Sequence, residues 1–196
     1  MGTCCRLLMN NFCCCCTICI KVEFCLSGNT YVTVKGKENP YKKPVSEVNI
    51  DDLILSFNGK DLIYSKVILI NKDEGLKNFF TFKVKDKSSN IKMISATENH
   101  SMIIFNKDEI EGIQFKYSRD VKIGDLVRTT EGIGEIIEIN KEKLNNSYKL
   151  VVEHGTVIAN DILVGAFYIK ENEQNLRKIK KIIETAKIPI ENEDPN

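Results

Sequence analysis

The sequence predicts an all-β domain made of two similar halves, with a cysteine-rich leader before it and a helix after it. Three observations carry this. Short β-branched segments separated by turn residues recur from Cys25 to about Tyr168. A seven-residue motif, Val48 to Ile54, returns 73 residues later as Val121 to Val127. All 8 cysteines lie at or before Cys25, so the body that follows folds on packing alone, with no disulfide and no thiolate zinc site inside it.

The strand segments come in order. Thr30 to Val34 alternates and is β-branched, and Leu53 to Phe57, Val67 to Ile70, Phe79 to Val84, Ser101 to Phe105, Gly134 to Ile139, Tyr148 to Val152 and Thr156 to Ile158 behave similarly. Gly36, Asn58-Gly59, Gly75, Ser88-Ser89-Asn90, Asn106, Gly132 and Asn145-Asn146 supply turns between them. In both copies of the repeated motif a short turn ends in an acid, Asp52 or Asp125, and an apolar strand starts immediately after it.

Residues 1–24 differ from all that follows. Asn10 and Asn11 interrupt the apolar run, so no membrane-spanning helix is expected there. Arg6 and the apolar stretch suit a signal peptide, but no small-x-small cleavage site follows. Lipidation fits better: removal of Met1 exposes Gly2, and Cys4, Cys5 and Cys13 to Cys16 offer thiols for further acyl chains, two of which hold a membrane where one does not. Arg6 stands where the myristoylation pattern has Ser or Thr. The expected location is therefore a membrane surface, reached through the acylated leader, and otherwise the cytoplasm or secretory pathway. The alternative is a cysteine-rich leader that binds metal or simply aggregates when isolated.

Residues 169–196 form a third region. Leu176, Ile179, Ile182, Ile183 and Ala186 recur at helical spacing between Glu171 and Lys187, Pro189 ends the helix, and an acidic tail closes the chain. Such a helix packs on the β body or meets a membrane or partner. With 28 basic against 27 acidic residues, the net charge of +1 gives no electrostatic reason to expect nucleic acid. No cofactor is implied.

Chemistry concentrates in three places. Cys25 opens the body in Phe24-Cys25-Leu26-Ser27-Gly28-Asn29-Thr30; Thr97-Glu98-Asn99-His100 lies at a strand edge; Glu153-His154-Gly155-Thr156 opens the last strands. With only 2 histidines, His100 and His154, any proton transfer near neutral pH passes through one of them. Taken alone, His100 reads as a hydrogen-bonded surface or core histidine.

In this order, and with the repeated turn, these segments resemble the Hint (Hedgehog/intein) fold, most closely the C-terminal autoprocessing domain of Hedgehog proteins, over about residues 25 to 168. Ser46 to Ser56 is similar to that family's processing turn and the strand after it, and Tyr64 to Leu69 continues the match. Ser95 to His100 is similar to its T-x-x-H block, and Gly155 to Asn160 to its closing strand.

The resemblance implies a pseudo-twofold Hint fold and a single-turnover cleavage in cis. The Cys25 sulfur attacks the Phe24 carbonyl, making a thioester as the Cys25 amine leaves. Thr97 polarises the scissile amide and His100 protonates the amine. A second nucleophile, a sterol, a thiol or water, then takes the acyl group and frees the N-terminal peptide, which is the domain's own substrate. The base for that step falls at Lys72 or its neighbour; Asp73 is the candidate, and its other reading is a solvated turn residue.

Two departures narrow this. No Asn followed by Cys, Ser or Thr closes the stretch Asn160 to Tyr168, so splicing is not expected, and Phe167 stands where Hedgehog domains often carry a second cysteine. About 28 residues follow the body, little for a separate sterol-binding region, so water and small thiols compete with sterol. The alternative is a catalytically silent Hint-like module tethered to a membrane.

Overall fold

The computed structural model describes residues 25–59, 61–105 and 113–166. The expected leader and the expected C-terminal helix lie outside them, as do Gly2, Cys4, Cys5, Phe24 and Phe167. Among the described residues, strands β1 (Leu26–Ser27), β2 (Tyr31–Val34), β3 (Tyr41–Pro44), β4 (Leu53–Phe57), β5 (Leu62–Lys85) and β6 (Ile91–Thr97) precede β7 (Ser101–Phe105), β8 (Ile113–Tyr117), β9 (Leu126–Thr129), β10 (Gly132–Val152), β11 (Thr156–Ala159) and β12 (Ile162–Gly165). All twelve join one antiparallel sheet. No described helix is long and apolar enough to cross a membrane.

The all-β expectation and the two similar halves both hold, and the second is visible at the level of single hydrogen bonds. Each half enters the repeated motif through a 3-10 turn, Val45–Glu47 in one and Ser118–Asp120 in the other. The Val48 N–H donates to the Val45 carbonyl at 3.2 Å and the Val121 N–H to the Ser118 carbonyl at 3.4 Å. Next, the acid of the motif turns back as a cap: Asp52 Oδ2 accepts the Asn49 N–H at 2.9 Å, and Asp125 Oδ2 accepts the Lys122 N–H at 2.8 Å. A lysine from the preceding strand meets each carboxylate, Lys43 with Asp52 at 2.8 Å and Lys116 with Asp125 at 2.9 Å. The turn needs a left-handed residue, Asp51 at φ 73° and Gly124 at φ 89°.

Strands β5 and β10 correct the strand reading. Val67 to Ile70 and Phe79 to Val84 are parts of one strand, as are Gly134 to Ile139 and Tyr148 to Val152, and these two long strands pair along most of their length. Gly75 and Asn145-Asn146 are therefore not turns. They lie at a register shift between Asn145 and Ser147, with Gly75 at φ 93° and Asn146 at φ 59°, and the Gly75 N–H donates to Asn146 Oδ1 at 3.2 Å. The left-handed residues that announce a turn here make a bulge that bends the ribbon while pairing resumes on both sides.

The main core gathers inward-facing residues from both halves, among them Val34, Ile54, Val67, Phe82, Ile94, Met102, Val127, Ile136 and Val164, each at most 3% exposed. A smaller cluster holds Phe57, Ile103, Ile158 and Leu163. Full burial of each such side chain contributes about 2 kcal/mol.

Because the two capped turns are equivalent, Asp52→Ala and Asp125→Ala should each lower the free energy of unfolding by about 1 to 2 kcal/mol, read from urea titrations followed by circular dichroism. A full loss in one and none in the other would contradict the equivalence.

Candidate active site

Strand β1 is only two residues long, and its neighbours hold it in place. Leu26 pairs with Ala96 of β6 on one side and with Tyr148 of β10 on the other. Cys25 stands at the entrance to this strand, 4% exposed. Gly28 follows because the Tyr148 ring lies across it: a Cβ at Gly28 would come within 2.8 Å of the ring.

Thr97 and Cys25 meet directly. The Cys25 N–H donates to Thr97 Oγ1 at 2.8 Å, and the Thr97 N–H donates to the Cys25 carbonyl at 2.9 Å. The Thr97 hydroxyl is also 3.3 Å from that carbonyl. Thr97 is 2% exposed, so these bonds are made away from bulk water, where they are electrostatically strongest.

His100 closes the same turn. Its N–H donates to the Thr97 carbonyl at 2.9 Å, and its own carbonyl accepts the Ser118 N–H at 2.9 Å. The ring is buried, and neither nitrogen has a hydrogen-bond partner among the described residues. Burial pushes the imidazole down to about 4, so it is neutral at neutral pH.

The turn carrying His100 has a counterpart beside Cys25. The Thr30 N–H donates to the Ser27 carbonyl at 3.1 Å as the His100 N–H does to Thr97, and the Val45 N–H donates to the Thr30 carbonyl at 2.7 Å as the Ser118 N–H does to His100. The Ser46 N–H reaches the Gly28 carbonyl at 3.3 Å, and the Arg119 N–H reaches Glu98 at 3.1 Å. The turn from Thr97 to His100 is thus equivalent to the turn from Ser27 to Thr30, which begins two residues after Cys25, and β1 pairs with β6 beside them.

Asp73 is not a solvated turn residue. It sits in β5 beside the bulge, its side chain 19% exposed and 3.1 Å from Lys77, and it is in register with Ser147 of β10, which is in register with Ser27 of β1. Lys72, the directly matching position, is exposed and pairs with Glu74 at 2.8 Å. His154 is exposed and bonds Ser65 through ring Nδ1 at 3.0 Å. Sequence reasoning missed Ser118, which fixes the carbonyl of His100, and Ser147; the only trace of either is a serine beside an apolar strand segment.

A family model described as the Hint module matches residues 16–179. The chain belongs to the Hint family. The Tiggy-winkle hedgehog protein of Danio rerio is 25% identical over 158 residues, covering 76% of this chain and 37% of that protein. The hedgehog protein of Drosophila virilis is 25% identical over 138 residues, covering 67% and 28% respectively. This Hint chain therefore spans well under half the length of the curated relatives it matches. Among solved structures, an intein from a hyperthermophile superposes with TM-score 0.60 at 14% identity, covering 72% of this chain and 98% of the intein. A DnaB intein from Synechocystis gives TM-score 0.58 at 18% identity, covering 73% and 98%. At these identities the intein likeness establishes the fold and nothing finer.

The neutral His100 carries a pH signature. Above about pH 6.5 the ring is uncharged whether the chain is folded or not; between about 6.5 and 4 the unfolded chain binds a proton that the folded chain refuses, so folding stability falls with pH across that window. The loss amounts to about 3 kcal/mol. Urea titrations at pH 7 and pH 4 should show His100→Gln losing less stability than the natural chain by about that amount; equal losses would contradict the assignment.

Proposed function

We propose that this Hint domain cleaves its own chain before Cys25 through an internal thioester. The observation that carries the reading is the bond from the Cys25 N–H to Thr97 Oγ1 at 2.8 Å. The nitrogen it engages is the leaving group of the proposed reaction. The bond holds that amide in place and sets the threonine hydroxyl, which can itself donate a proton, beside the nitrogen that must be protonated before it leaves.

The proton accounting fits a neutral imidazole. An N-to-S acyl shift forms the bond between the Cys25 sulfur and the Phe24 carbonyl carbon and breaks the bond from that carbon to the Cys25 nitrogen. The thiol proton must end on the amine. A neutral His100 takes it from the sulfur, which makes the thiolate nucleophile, and delivers it to the nitrogen as the tetrahedral adduct collapses. In the second step a sterol hydroxyl, a thiol or water attacks the thioester, Cys25 leaves as thiolate, and residues 1–24 depart. Asp73 is the base we propose for an O–H acceptor.

Acyl chains on Gly2, Cys4 and Cys5 would hold the released peptide, or the uncleaved protein, at a membrane surface.

Expression of the full chain, followed by dithiothreitol and intact-mass measurement, tests this. The natural chain should yield a fragment beginning at Cys25, and Cys25→Ala should stay whole; a natural chain that stays whole with thiol or hydroxylamine indicates a silent module instead. The same spectrum, taken on peptide released in eukaryotic cells, should carry the added mass of acyl groups; an unmodified peptide overturns the lipid assignment.

A further inference from the structure

The Ser147 hydroxyl is buried in the sheet without a hydrogen-bond partner among the described residues. Ser147 is 0% exposed, and its Oγ finds no donor or acceptor there. Burying a hydroxyl without a partner costs about 1 to 3 kcal/mol, so a serine in this place is a liability to the fold. Alanine would fill the same strand position without that cost.

Its placement gives the hydroxyl a use. Ser147 is in register with Ser27 of β1 on one side and with Asp73 of β5 on the other. Residues directly opposite one another in antiparallel strands project from the same face, with Cβ atoms about 4.5 to 5.5 Å apart. Cys25, two residues before Ser27, shares that face. Ser147 therefore stands between the Asp73 carboxylate and the strand that presents the nucleophile. The bulge made by Gly75 and Asn146 begins at the next residue of each strand, and bulges of this kind re-aim the side chains beside them. On the opposite edge of β1, the Cys25 N–H is already engaged by Thr97, so the two sides of the strand have separate tasks.

We propose that Ser147 is a positioning residue for the second step: its hydroxyl orients the O–H of the acceptor between Asp73 and the thioester. This deepens the thioester reading above and rests on it. In the step, the acceptor oxygen bonds to the thioester carbon and the carbon–sulfur bond breaks. The acceptor proton passes to the Asp73 carboxylate while the Ser147 hydroxyl holds the acceptor oxygen in place, and the sulfur leaves as Cys25 thiolate. Asp73 then returns its proton to the thiolate. A thiolate acceptor such as that of dithiothreitol brings no O–H proton and needs neither residue.

The test uses the full chain, comparing cleavage in buffer alone, where water is the acceptor, with cleavage in dithiothreitol, both timed by intact mass. Ser147→Ala should lower the ratio of water-dependent to thiol-dependent cleavage about tenfold. Asp73→Asn should lower it as well, and the double variant should lose no more than Asp73→Asn alone, because the serine acts through the acid. The urea midpoint of Ser147→Ala should equal or exceed that of the natural chain, since the substitution removes an unsatisfied buried hydroxyl. An unchanged ratio, additive losses in the double variant, or a fall in both cleavage rates with a lowered midpoint overturns the role of Ser147. A natural chain that dithiothreitol does not cleave removes the thioester reading itself, and this inference with it.

Discussion

The pair of hydrogen bonds between Cys25 and Thr97 is the constraint on which the rest of the site depends. Strand β1 has two residues and little apolar surface of its own, so its position is decided by what it pairs with. Through Thr97 it is tied to β6, and through Leu26 and Ser27 to β10. One of these bonds belongs to the sheet ladder; the other replaces a ladder bond by a side-chain hydroxyl. That substitution places an adjustable donor and acceptor at the amide that opens the domain, in surroundings dry enough for it to matter.

Duplication explains how a small β domain assembles such a place. The turn just after Cys25, Ser27 to Thr30, and the turn from Thr97 to His100 are equivalent, each closed by an N–H to C=O bond three residues apart and each pinned by the 3-10 turn of its own half. Where the halves meet, Cys25 lies against Thr97 and His100 closes the same turn, and the packing there buries the ring, which lowers its affinity for a proton.

Legibility in the sequence followed the range of the interaction concerned. The capped turns were readable because Asp52 and Asp125 act on residues three positions away, inside one short motif. Cys25, Thr97 and His100 were readable as a pattern, and the structure brings Cys25 against Thr97 with His100 closing the same turn. Gly75 and Asn146 were misread because their local requirement, a left-handed backbone, is the same in a turn and in a bulge; only pairing with a distant strand separates the two. Strand β3 was passed over because Tyr41-Lys42-Lys43-Pro44 is polar and proline-bearing, as suits a strand paired on one side only. The burial of His100, and the register that sets Ser147 between Ser27 and Asp73, depend wholly on tertiary pairing and leave no local mark.

The most direct test of the central claim is the rate of dithiothreitol-dependent cleavage in Thr97→Val, which keeps the shape of the side chain and removes its hydroxyl. If the bond to the Cys25 nitrogen drives the acyl shift, that rate falls roughly tenfold or more while the chain stays folded. A folded Thr97→Val chain that cleaves as fast as the natural one would contradict the account.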